Sequence, residues 1–113
     1  FGMGGIAIVR MSGDDSFLIA SKLVGKSKGL EFNNFEARKL YLADVKTQKF
    51  SDRALIVKFV NPDSFTGENM VEFQLHGGVI LADGVIKECI RQGATMAEPG
   101  EFSKRAFLNR KMS

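Results

Sequence analysis

Five side chains in this 113-residue sequence have the type and setting to support chemistry: Arg10, Glu72, Lys111, Cys89 and His76. Glu72 lies in an alternating stretch. Val71, Phe73 and Leu75 face one way, while Met70, Glu72 and Gln74 face the other. A carboxylate on the polar face of a strand is ordinarily solvated; if that face is covered, the charge needs a partner. The two oxygens of a carboxylate match a paired donor edge, such as the ring N–H and exocyclic amino group of a pterin. Arg10 closes the apolar run Ile6, Ala7, Ile8 and Val9, and Lys111 sits in a basic final segment. Cations of this kind suit the carboxylates of a folate tail. Structural ion pairs explain the same three residues, and spacing alone does not choose between the two readings.

The remaining groups offer less. Cys89 falls on the apolar face of a helical pattern, where a thiol is buried and inert. A single cysteine excludes an internal disulfide and a cysteine-rich zinc site, and a single histidine, His76, excludes histidine pairs on a metal. The stretch ASKLVGKS at 20–27 matches a relaxed phosphate-loop pattern. That device requires a strand, a glycine-rich loop and then a helix. Here the first half reads as helix and Ser27-Lys28-Gly29 does not begin one, so a helix end carrying lysines is expected instead.

The elements that must position these groups follow from periodicity. Residues 5–11 read as a strand apolar on both faces, as in a covered central strand. A helix follows, with Ser12 and Asp15 in a capping-box pattern, Phe17, Ala20, Ser21 and Val24 on one face, and Gly25 as its stop. Residues 26–36 read as a loop, 40–43 as a second strand, 48–52 as a turn and 54–60 as a third strand rich in β-branched and aromatic residues. NPDSFTGE at 61–68 is loop chemistry, and 69–75 is the alternating fourth strand. His76-Gly77-Gly78 turns the chain into a helix over 79–92. Ala82, Val85, Ile86, Cys89 and Ile90 form its inner face, Asp83, Lys87 and Arg91 its outer one, and Gly93 its end. Residues 94–97 read as a short strand, 98–100 as a turn, and a last helix starts near Glu101 and carries Lys104, Arg105, Arg110 and Lys111. The link of about eight residues between the third and fourth strands permits antiparallel pairing, whereas a parallel crossover needs a dozen or more. The expected fold is α+β, a mixed and mostly antiparallel sheet with about three helices on one side.

Composition is consistent with one globular domain over residues 1–113. Charged residues are 26% and hydrophobic ones 44%, which excludes a disordered or collagen-like chain. No apolar run approaches the roughly 20 residues of a membrane span, no signal peptide is evident, and one lone cysteine suits a reducing cytoplasm. The missing initiator methionine and a final helix without a stop signal suggest a piece of a longer protein. Net charge is only +3. Between Lys22 and Lys49, seven basic residues mix with three acidic ones, and Tyr41 is the sole Tyr or Trp able to stack a base, so a solvated surface is favoured over a polyanion patch.

Four blocks together carry more information than any single residue: GIAIVRMSG at 5–13, NPDSFTGE at 61–68, VEFQLHGG at 71–78 and EPGEFSKRAFLNRK at 98–111. In order and spacing they resemble the N-terminal domain of the tRNA modification GTPases of the MnmE/TrmE family. The resemblance is weak between Gly25 and Arg53. It implies a fold similar to folate-binding aminomethyltransferases, and a domain that binds 5-formyltetrahydrofolate or a related folate and forms a homodimer. It also implies a parent protein that acts on the wobble uridine of certain tRNAs with a flavoprotein of the MnmG/GidA type. Carried over through the surrounding motifs, the family's folate contacts fall on Arg10, Glu72 and Lys111. GTP, magnesium and potassium would belong to a GTPase domain outside these residues, and the family's catalytic cysteine motif lies near its C-terminus, so Cys89 is not that cysteine. No catalytic residue and no metal site is expected within this chain. A stand-alone RNA-binding module and a purely structural dimerisation domain are the rival readings.

Overall fold

A computed structural model describes residues 5–109 of the chain. They form β1 (Ile6–Ser12), α1 (Ser16–Leu23), a 3-10 turn (Phe32–Asn34), β2 (Tyr41–Lys46), β3 (Ser51–Phe59), β4 (Met70–His76), α2 (Val79–Arg91) and α3 (Glu101–Leu108). The strands make one sheet in the order β1-β4-β3-β2, and every pairing is antiparallel. The α+β expectation holds, with an antiparallel sheet where a mixed one was allowed.

Alternation builds the core. Opposed residues share a face, so Val9–Phe73–Ile56–Tyr41 forms one row across all four strands, and Ala7–Leu75–Ala54–Ala43 forms the next. α1 and α2 pack on this face, with Ile19, Ala20 and Leu23 of α1 and Ala82, Val85 and Cys89 of α2 buried against it. Positive φ at Gly77 (118°) and Gly78 (83°) makes the abrupt strand-to-helix turn that glycine permits. Gly84 matters for a different reason: a Cβ there would fall 2.5 Å from the ring of Phe50, which lies over α2 from the β2–β3 turn and would have to move.

Five expectations are corrected. β1 is an edge strand and β4 takes a central place; Ile6 and Ile8 are 56% and 50% exposed. An unbroken apolar run reads the same whether its second face is covered within the chain or left open. The capping box does not form, because Ser12 stays in β1 and its hydroxyl turns to Glu68 and Thr66. Instead the Ser16 hydroxyl donates to the Gly13 and Asn69 carbonyls, and the buried face of α1 is Ser16, Ile19, Ala20 and Leu23 rather than Phe17 and Ser21. α1 ends on an extended Val24, and the Gly25 amide donates to the Asp44 carbonyl without a left-handed turn. Residues 94–97 form no strand and lie outside the sheet; the Ala94 amide instead closes α2 on the Cys89 carbonyl.

The 26–36 loop contributes to the core. Phe32 and Phe35 are buried, and Phe17, Phe32, Phe35 and Tyr41 form a continuous run of ring contacts. Lys58 on β3 points into this region and is 7% exposed. Its ammonium donates to the carbonyls of Phe32 (3.2 Å), Asn33 (3.2 Å) and Phe35 (3.4 Å). It also lies over the rings of Phe17 and Phe32.

Candidate functional site

The β1–β4 register sets Arg10 directly opposite Glu72. Both lie on the face of the sheet away from the helices. Arg10 Nε donates to Glu72 Oε2 at 2.7 Å. The two side chains are unequally exposed, at 50% for Arg10 and 14% for Glu72. The floor beneath Glu72 is apolar, because Val57 on β3 is its other cross-strand neighbour and is buried. A charge-assisted bond in such a setting is stronger than one in open water. A carboxylate has about four lone-pair positions. Arg10 takes one of them, so Glu72, though mostly buried, retains acceptor capacity on the face that α1 and α2 do not cover. The surrounding face holds Ile6, Ile8 and Leu42, all exposed.

Alongside β1 lies an open cavity of about 490 Å³, within the size range of small-molecule sites. Arg10, Met11 and Ser12 form one wall, the end of α2 and residues 93–97 another, and Phe102 and Arg105 of α3 a third. Its rim is a closed polar network. The Ser12 hydroxyl donates to Glu68 Oε1 (2.7 Å) and so accepts from Thr66 Oγ1 (2.7 Å). Arg105 donates from Nη1 to Glu68 Oε1 and to the Ser12 carbonyl, both at 3.1 Å, and from Nε to Glu101 Oε2 at 3.0 Å. The amide of Glu98 donates to the other Glu101 oxygen; with Arg105 it holds that carboxyl below the usual range. Burial opposes the charge on Arg105, but Glu68 and Glu101 outweigh it and raise its pKa.

The other candidates fall away from this site. Cys89 is buried, and burial with the neighbouring Glu88 charge pushes its thiol up to about 12, so it stays protonated and unreactive at neutral pH. At 20–27 the order is helix and then a small bridge, with the Ser27 and Leu30 backbones paired to each other. The Gly25 and Ser27 amides are thus occupied within the chain, and no helix follows to supply a phosphate cradle. Lys111 lies outside the described residues; α3, which lines the cavity, ends three positions before it.

The family model for the N-terminus of the GTP-binding protein TrmE matches residues 1–111. The chain belongs to this family. It is 47% identical over 112 residues to the tRNA modification GTPase MnmE of Campylobacter fetus, covering 99% of this chain and 24% of that protein. It is 46% identical over 113 residues to the MnmE of Aliarcobacter butzleri, covering 98% and 24%. Against the MnmE of Mesoplasma florum it is 47% identical over 107 residues, covering 95% and 23%. The chain therefore spans about a quarter of the length of these relatives. Of the three residues singled out in this TrmE-type sequence, the fold brings Arg10 and Glu72 into contact.

Sequence reasoning missed the Ser12–Thr66–Glu68–Arg105 network and the buried Lys58. The first had a signal, since its members come from three of the four recognisable blocks at 5–13, 61–68 and 98–111. The second had none: a lysine among β-branched residues reads as the solvent side of a strand.

Proposed function

We propose that this chain is the folate-binding, dimer-forming domain of a tRNA-modifying GTPase, and that Glu72 and Arg10 are the centre of its ligand site. The observation that carries the reading is the Arg10–Glu72 pair at 2.7 Å, with acceptor capacity left over, on an uncovered sheet face beside a cavity of about 490 Å³. A pterin would place its ring N–H and amino group on the Glu72 carboxylate, while Arg10 stays bonded to the same group through a separate lone pair. Arg10 and Lys111 would supply positive charge to the carboxylates of the folate tail.

The exposed Ile6, Ile8 and Leu42 support the second half of the reading, because a second copy of the chain would cover them. The names of the relatives support a role for the whole protein in tRNA modification, with GTP, magnesium and potassium handled outside this chain. A flavoprotein partner of the MnmG/GidA type and a cytoplasmic setting belong to the same proposal. No helix among the described residues is long and apolar enough to cross a membrane.

Calorimetric titration of 5-formyltetrahydrofolate into the 113-residue chain tests the reading. Saturable heat that persists as salt rises supports it. Absence of heat with folate, together with steeply salt-dependent binding of RNA, would replace it with an RNA-binding module. A dimer with neither activity would leave a structural domain.

A further inference from the structure

α3 is short for an independent helix. Eight residues do not hold a helix in water, so tertiary contacts must fix it. Ala106 is fully buried, and among the described residues Arg105 supplies the only side-chain hydrogen bonds from α3 to another element. One guanidinium nitrogen is shared between the last carbonyl of β1 and Glu68; the opposite edge grips Glu101 one turn back on α3. Glu68 is itself held by the Ser12 hydroxyl, which takes its own proton from the fully buried Thr66. The end of β1 and the 61–69 loop are further tied by the Gly13 amide on the Asn69 carbonyl (2.9 Å). The block is hydrogen-bonded at every joint and ends two residues from Arg10.

We propose that Arg105 is a positioning residue: by clamping α3 to Glu68 and the Ser12 carbonyl it sets the width of the cavity beside Arg10 and so its fit to a folate. The inference rests on the folate reading above for its ligand, but not for its mechanics. Four of the five N–H donors of Arg105 are engaged within the protein, two on Glu101, one on Glu68 and one on the Ser12 carbonyl. Its effect on a ligand therefore passes through the placement of α3 and not through direct contact.

Hydrogen exchange by mass spectrometry and calorimetry on the same samples test this, with 5-formyltetrahydrofolate as the probe. In Arg105→Gln, amides of residues 101–109 should exchange about tenfold faster, β4 amides should keep their protection, and folate affinity should fall about tenfold. Arg105→Lys keeps the charge and one bond to Glu68, and should recover part of both losses, to about threefold each. Glu68→Gln should speed the same amides by a similar factor, and combining it with Arg105→Gln should add little further. Unchanged exchange over 101–109 in Arg105→Gln overturns the proposal, as does an affinity loss without any change in exchange, which would make Arg105 a ligand contact. If the parent gives no heat with folate, the folate reading falls, and exchange alone decides whether Arg105 holds α3.

Discussion

Lys58 on the helix-covered face of the sheet and Arg10 on the other both stand among apolar neighbours, and the two are bonded in opposite ways. On the helix-covered face, Lys58 meets no carboxylate among the described residues; its three N–H donors go to three backbone carbonyls and its charge rests on two phenylalanine rings. On the open face, Arg10 meets a carboxylate with one nitrogen and leaves bonding capacity on both sides of the pair. A buried cation whose valences are exhausted within the chain fixes structure. A pair with spare donors and acceptors, one partner half exposed, can take a ligand. The difference lies in what remains unbonded, not in the presence of a charge.

The largest test of that contrast is Lys58→Met. It keeps the length of the side chain but strips donors from carbonyls in the 32–35 turn. Destabilisation of about 2–3 kcal/mol is expected, or a melting temperature lower by roughly 10–20 °C for a domain of this size. Folate affinity of the folded fraction should not change. A variant as stable as the parent would show that the cage contributes nothing.

Next in size is Ile8→Lys on the open face. A lysine ammonium facing the second copy should weaken the dimer by about 2–3 kcal/mol, roughly 30- to 150-fold. Sedimentation equilibrium would then read 12.4 kDa where the parent reads twice that mass. A parent that is monomeric at micromolar concentration breaks the dimer half of the account.

The smallest effect is a pH dependence. Burial lowers the pKa of Lys58 from its ordinary 10.5. Between the lowered folded value and 10.5 the unfolded chain binds more protons, so stability rises with pH across that window. The parent should gain on Lys58→Met as pH climbs through that range, because methionine does not titrate. Urea unfolding at several pH values measures the difference; a gap that narrows with rising pH contradicts the assignment.

The same contrast marks what was legible in the sequence. The alternation of β4 and the 3.6-residue period of α2 each have one face covered by the chain itself, and Val71, Phe73 and Leu75 of β4 and Ala82, Val85 and Cys89 of α2 were readable as buried; Ile90, expected on the inner face of α2, is exposed, while Leu81 and Glu88 are buried there and Met70 is buried on β4. β1 was misread because an apolar run says neither what covers its second face, which is open, nor whether a strand lies on each side of it. Ser12 followed by Asp15 is a sound cap pattern, yet Glu68, far away in sequence, competes for the Ser12 hydroxyl and wins. Residues 94–97 have strand-like composition, but α2 takes the Ala94 amide first. Arg10 and Glu72 were readable as candidates, but that they meet depends on a register between strands some sixty residues apart, which no local pattern encodes.

The central claim is that Glu72 fixes the ligand and not the fold. Glu72→Gln keeps the shape of the side chain and replaces one acceptor oxygen with a donor NH₂, which would face a pterin donor and leave it unpaired. A loss of about 1.5–3 kcal/mol in 5-formyltetrahydrofolate binding is expected by calorimetry, roughly ten- to a hundred-fold. Because Arg10 is half exposed, the broken pair should lower the melting temperature by only a few degrees, about the 0–1 kcal/mol of a surface ion pair. Glu72→Gln binding folate as tightly as the parent, at an equal melting temperature, would return Glu72 to the role of an ion-paired strand residue and contradict the account.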